Sequence, residues 1–229
     1  MCAGIKPVAS SPLANPQVTV TARIEVTTRA GASPDASGAV VWLTPLDRSL
    51  TVTPKQNVQL LQKHKTFTPH LLVLPVGSSV DFPNRDPFFH NVFSLFDGKR
   101  FDLGLYEAGS SRTVVFNRPG ISYIFCNIHP EMSAVVVALK TPYYAISDHK
   151  GQLTIADVPA GRYEMQIWHE RVLPEALNAL KRIITIAPES SSLGILHVTE
   201  ERSLLSDHKN KYGQDYDTPT ATTPGYVRP

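Results

Sequence analysis

The sequence predicts an all-β protein, and three observations carry that reading. Nineteen prolines and thirteen glycines punctuate the 229 residues, which suits short strands joined by turns over long helices. Val, Thr and Ile recur in triplets along the chain, and β-branched residues favour the extended backbone. Several runs also alternate apolar and polar residues, the mark of a strand with one buried face.

Taken in order, residues 18–26 alternate and form a first strand. Residues 27–38 are rich in Gly, Ala, Ser and Pro and read as a loop. Residues 39–46 give a second strand, which Pro45 ends or confines to an edge. Residues 47–66 are polar and irregular, with weak amphipathic character around 58–61. Residues 67–77 run from a strand into a glycine turn, and 79–84 form the next strand. His90 then falls in a loop. Residues 92–96 resume an extended pattern, and Asp97-Gly98 is a turn signal. Residues 113–116, 121–125 and 133–139 are further strands, with Arg118-Pro119-Gly120 breaking the first two apart. Residues 146–155 are two strand ends around a turn, and a second turn at 157–163 feeds the strand 163–169. Residues 173–180 allow one short helix. Closing strands are expected at 182–186 and 194–198. From residue 200 the chain is polar and punctuated by Thr-Pro and Gly, which predicts an extended or disordered tail through 229.

Composition narrows the function. A hydrophobic content of 42% is enough for a real core. A net charge of +2 with a pI near 8.5 is too weak a basic field for nucleic acid. No apolar run approaches the ~20 residues of a membrane-spanning helix. Gly-rich phosphate loops, serine nucleophile elbows and paired-carboxylate sites are missing, so no enzyme is expected.

Two cysteines are present, Cys2 and Cys126. Met1-Cys2-Ala3-Gly4, followed by a Ser/Pro/Ala-rich stretch, resembles the mature end of a bacterial lipoprotein with a start methionine in place of its signal peptide. An ordinary leader is the competing reading. On the first, Cys2 is a lipidation site, the chain is anchored to a membrane, and it sits in the periplasm or on the outer cell surface.

Cys126 keeps more telling company. The stretch Phe125-Cys126-Asn127-Ile128-His129-Pro130-Glu131-Met132 spaces a thiol, an imidazole and a thioether as Cys-x2-His-x2-Met at a strand end. These are the soft and borderline ligands that copper selects. A fourth ligand must come from elsewhere, and His90 in Asp86-Pro87-Phe88-Phe89-His90-Asn91-Val92 is the candidate. Taken one at a time, each has a bland reading: a small buried Cys, a loop or surface His, a core-filling Met. All four together favour one copper site made of His90, Cys126, His129 and Met132. Asn91 is expected to support the site from behind the ligands, its backbone or side chain donating toward the sulfur and tuning the potential.

Residues 67–139 resemble the cupredoxins, the blue-copper family that includes plastocyanin, pseudoazurin and amicyanin. The matching features are Phe67-x-Pro69, Gly77, Val80-x-Phe82-x-Asn84, His90-Asn91-Val92, Gly120-x-x-Tyr123-x-Phe125-Cys126, His129 and Met132. The short loop looks most like amicyanin. The resemblance implies a Greek-key β-sandwich, one type 1 copper and one-electron transfer to a redox partner protein. It also implies that His129 reaches the surface as the electron exit, with Pro130, Phe88 and Phe89 around it as a docking patch.

Residues 18–46 and 141–198 each resemble part of the carboxypeptidase regulatory-like, or transthyretin-like, β-sandwich. Ile24 to Leu43 match its opening strands. Asp148 to Tyr163 match its signature Asp-x-x-Gly-x-Leu-x-x-x-Asp-Val-Pro-x-Gly-x-Tyr. Neither piece has enough strands to bury a sheet face alone. The expected organisation is therefore a leader at 1–16, a sandwich in two halves at 17–50 and 141–199, a cupredoxin domain at 51–140 nested between them, and the tail at 200–229. The arrangement is similar to bacterial methylamine-utilisation or plastocyanin-like proteins. Besides electron transfer, copper storage or delivery and a structural binding module with a vestigial site are the competing functions.

Overall fold

The computed structural model describes residues 16–33, 35–95, 98–201 and 208–216. Cys2, the rest of the leader before Pro16, Pro34, Phe96, Asp97 and the tail segments 202–207 and 217–229 lie outside the described residues.

The protein is all-β. Strand β1 (Gln17–Thr28) buries every second residue, with Val18, Val20, Ala22, Ile24 and Val26 turned inward. That is the period-two pattern legible in its sequence. β2 (Gly31–Ala32) folds back on β1, and β3 (Val40–Pro45) follows.

The middle of the chain builds separate sheets from β4 (Val58–Gln59), β5 (Leu61–Lys63), β6 (Thr66–Thr68), β7 (Leu71–Pro75) and β8 (Ser79–Pro83). It continues with β9 (His90–Ser94), β10 (Phe101–Tyr106), β11 (Ser111–Val115), β12 (Gly120–Cys126) and β13 (Ser133–Leu139). The largest sheet runs β10–β9–β12–β13–β7. The sheet β11–β8–β4 packs against it, joining Val80, Phe82 and Val114 to Val92, Ile124 and Val136 in one core. β5 and β6 form a hairpin.

The chain then gives β14 (Tyr144–Ile146), β15 (Gln152–Pro159), β16 (Gly161–Trp168), α1 (Pro174–Ala179), β17 (Arg182–Ile186) and β18 (Ser192–Thr199). These late strands share sheets with the earliest ones, in the orders β15–β1–β18 and β14–β3–β16–β17. The turn before β15 is tied to β1 at Gly151, whose carbonyl accepts the Ile24 N–H at 2.7 Å. Only glycine fits there: φ is +76°, and a Cβ would lie 2.0 Å from the Ile24 oxygen.

β12 shows how the layers join. Ile124 and Cys126 point into the core shared with β8 and β11, while Phe125 points to the opposite face. There Phe125, Phe93, Val135 and Val137 pack with Val40, Met165 and Trp168 of the flanking sheets in a second core.

Several expectations are revised. The stretch 47–66 is not wholly irregular, because β4, β5 and the start of β6 lie in it. β10 was not foreseen: Gly104 interrupts its pattern, and its pairing with β9 slips between Asp102 and Leu105. Pro45 ends β3, but β3 is no edge strand, lying between β14 and β16. His90 is the first residue of β9, not part of a loop. Residues 208–216 are neither extended nor disordered: they form a turn docked on β12.

Candidate metal centre

Strand register brings the predicted ligands together. β12 pairs antiparallel with β9, with Cys126 opposite Val92. His90, two residues before Val92, therefore emerges on the same face of the sheet as Cys126. Beyond Cys126 the chain closes a tight loop. The Met132 N–H donates to the His129 carbonyl at 3.1 Å, and the Cys126 N–H donates to the Met132 carbonyl at 3.2 Å. The Asn127 N–H, bonded to the Asn91 carbonyl at 3.0 Å, pins this loop to β9.

The result is a convergent donor set. Cys126 Sγ lies 3.6 Å from His90 Nδ1 and 3.5 Å from His129 Nδ1. The three ligand atoms fall within 4.8 Å of one another. An ion bound at about 2.0 Å to nitrogen and about 2.3 Å to sulfur separates those atoms by roughly 3.5–3.7 Å as the angle opens from tetrahedral to trigonal. Both sulfur–nitrogen spacings thus suit a single metal ion. Met132 is fully buried in the same core as Cys126. Two imidazoles and one sulfur that converge in this way offer the nitrogen and thiolate donors that a copper ion takes.

Electrostatics suit the same use. Burial pushes His90 and His129 below the ordinary histidine range, so both are neutral near pH 7 and keep a lone pair for a metal. Burial pushes the Cys126 thiol up, against the backbone N–H groups of Asn91, Ile128 and His129, which favour the thiolate. Metal binding at Cys126 therefore displaces a proton.

Asn91 is split between two jobs. Its backbone N–H faces the Cys126 sulfur. Its side-chain amide turns away and donates to Asp102 Oδ1 at 2.6 Å and to the Gly104 carbonyl at 3.0 Å, bracing β10.

Asp86 is the functional residue that the sequence reading missed. Its Oδ2 lies 2.9 Å from His90 Nε2, both side chains being almost fully buried. The same carboxylate accepts the backbone N–H groups of His64 at 2.6 Å and Lys65 at 3.0 Å. Those two residues are the left-handed turn of the β5–β6 hairpin, with φ of 56° and 55°. Burial pushes the Asp86 carboxyl up, but the Lys65, His90 and His64 bonds outweigh it and hold it below the ordinary carboxylate value. The only hint in the sequence is an Asp four residues before a His.

The exposed side of the site is mainly apolar, with Lys65 over the Phe88 ring and exposed Glu131 as its charged neighbours. His129 is half-buried, while His90 is inaccessible to solvent. Phe88 packs its ring against both, with centroids 5.3 Å from His90 and 5.5 Å from His129. Phe89 is 46% exposed and Ile128 44%, and Pro87 and Pro130 are exposed as well. Cys2 lies outside the described residues.

No protein-family model matches the sequence, and no curated protein matches it. Similar solved structures exist. A copper-containing nitrite reductase from Thermus scotoductus SA-01 is 22% identical over 42% of this chain, with a TM-score of 0.36. The match spans only 25% of that enzyme's length. A purple cupredoxin from Nitrosopumilus maritimus is 24% identical over 36% of this chain and all of its own, with a TM-score of 0.33. Amicyanin from Paracoccus versutus is 19% identical over 43% of this chain and 97% of its own, with a TM-score of 0.34.

Proposed function

We propose that this chain is a mononuclear type 1 copper protein that carries one electron at a time to and from a redox partner protein. The observation that carries the reading is the placement of His90 Nδ1 and His129 Nδ1 at 3.6 and 3.5 Å from the buried Cys126 sulfur. His90, Cys126, His129 and Met132 would hold one copper, which supplies a one-electron couple when bound. The chain's own contribution is rigidity. Ligands fixed on paired strands, and a loop closed by its own hydrogen bonds, move little between two oxidation states. The half-exposed His129, ringed by Phe88, Phe89, Ile128 and Pro130, is the proposed site of electron exit and docking.

Two further assignments belong to the same reading. The sheets built from both chain ends are a carboxypeptidase regulatory-like sandwich, supported by the Asp148 to Tyr163 signature. The protein works in the periplasm or at the outer cell surface, tethered through Cys2, where a lipidated N-terminus would place it.

Titration of the full chain with copper(II) tests the function. One equivalent should produce an intense visible band from thiolate-to-copper charge transfer, and Cys126→Ser should remove it. A colourless copper complex of the unmodified protein would sink the electron-carrier reading in favour of storage or delivery.

A further inference from the structure

Residues 208–216 come back to the metal centre from beyond the last strand. They are folded on themselves first. The Asn210 N–H donates to the Gln214 carbonyl and the Gly213 N–H to the Asn210 carbonyl, each at 2.9 Å. The Asn210 side chain accepts the N–H groups of Tyr212 at 2.9 Å and Gln214 at 3.1 Å. Gly213, with φ of 77°, supplies the left-handed residue of the turn.

This turn makes four contacts, with β12, the loop that follows it and β10. The Tyr216 hydroxyl donates to the Cys126 carbonyl at 2.8 Å. The Lys211 N–H donates to Asn127 Oδ1 at 2.9 Å, and its Nζ pairs with Asp102 Oδ2 at 2.8 Å. The His208 ring stacks on Phe125, centroids 4.0 Å apart and planes 16° from parallel, and Tyr216 meets His208 edge-on. Cys126 is the last residue of β12, where the ladder runs out and a carbonyl needs another donor. The partners lie 84 to 109 residues away in sequence, so no local element could supply these bonds.

We propose that residues 208–216 are a strap that positions Cys126, with Tyr216 as the positioning residue. Tyr216 fixes the peptide plane that follows Cys126, and with it the direction in which the sulfur meets His90 and His129. Lys211 fixes the next residue of the loop and, through Asp102, the strand that Asn91 braces. Phe125 and Cys126 point to opposite faces of the sheet, so the strap grips the strand from the side away from the ligands. What the sulfur is positioned for rests on the copper reading; that it is positioned does not.

The test uses the full chain in a Cys2→Ser background, which leaves Cys126 as the only thiol. In metal-free protein, Tyr216→Phe should speed the reaction of Cys126 with a thiol reagent by about three- to tenfold, the effect of losing one hydrogen bond. Asn210→Ala, which loosens the turn itself, should act in the same direction. In copper-loaded protein, Tyr216→Phe should change the copper hyperfine splitting seen by electron paramagnetic resonance. Val158→Ala, a core truncation in the flanking sheets, should lower thermal stability yet leave both readouts alone. Thiol reactivity and hyperfine splitting unchanged in Tyr216→Phe would overturn the strap. A wild-type copper complex without the charge-transfer band would overturn the electron-carrier reading instead, and the thiol rates would still decide the strap.

Discussion

Asp86 and His90 form a buried pair in which the carboxylate Oδ2 holds the imidazole Nε2 at 2.9 Å. The bond fixes which nitrogen is free, and it leaves Nδ1 facing the Cys126 sulfur. A histidine ligand that donates to a carboxylate is oriented and made a stronger donor. Asp86 is itself held by two backbone N–H groups of the β5–β6 turn.

The first prediction follows from that charge. Asp86→Asn keeps an oxygen that can accept from Nε2 but removes the negative charge, so His90 becomes a weaker donor. Copper(II) should lose affinity relative to copper(I), and the reduction potential should rise. A tenfold relative loss, the low end for such outer partners, corresponds to about 59 mV for one electron. Protein-film voltammetry measures it. An unchanged potential would leave Asp86 with the hairpin turn as its whole role.

The site's legibility in the sequence divides along sequence distance. Cys126, His129 and Met132 sit within one loop, and their chemical softness shows without any fold. His90 was legible as a type and a neighbourhood, though its place on a strand was not. Asp86 was not legible, because its role depends on a two-residue turn at His64 and Lys65 more than twenty residues earlier. The strap escaped for another reason. Residues 208–216 have too few apolar side chains to predict order, and what holds them is Asn210 closing its own turn, the His208–Phe125 stack and the polar contacts of Lys211 and Tyr216 with residues far away in sequence. β10 escaped because Gly104 and a slip in register erase its alternation. The long alternating strands were readable because each buries one face, as β1 does at Val20 and Ile24.

The second prediction concerns pH. His70 Nε2 pairs with Glu170 Oε2 at 2.5 Å, tying the turn before β7 to the segment after β16. The Glu170 bond raises the His70 pKa above the ordinary value, against an opposing effect of burial. A raised folded-state pKa stabilises the protein fully below the unfolded value of about 6.5 and loses that effect as pH rises through the folded value. The melting temperature gap between wild type and His70→Ala should therefore be widest at or below about pH 6.5 and close toward pH 9. Half of the His70 side chain is in water, so the gap should stay under about 1 kcal/mol, or about 2–4 °C for a chain of this size. Scanning calorimetry of both proteins at several pH values decides it, and a gap that is flat or grows with pH would contradict the pair.

The third prediction addresses the electron exit. His129 is half-buried, whereas His90 is inaccessible, so only one imidazole edge is open to a docking molecule. Pro130 lies next to it on the surface, has no N–H to lose from a hydrogen bond, and is exposed. A charge placed there touches the patch without touching a ligand. In electron self-exchange two copies must bring their patches together. Pro130→Glu sets two like charges face to face in that encounter, in addition to removing apolar contact. At low ionic strength the self-exchange rate, read from nuclear magnetic resonance line broadening in mixtures of the two oxidation states, should fall by about tenfold or more. Raising the salt to about 0.15 M shortens the Debye length to roughly 8 Å and should recover part of the loss. The charge-transfer band should stay where it is, because the hydrogen bonds that close the loop run between His129, Met132 and Cys126 and none uses Pro130. A variant that exchanges electrons at the wild-type rate at low salt would move the exit away from His129. A band that shifts with the substitution would show instead that Pro130 holds the loop in shape.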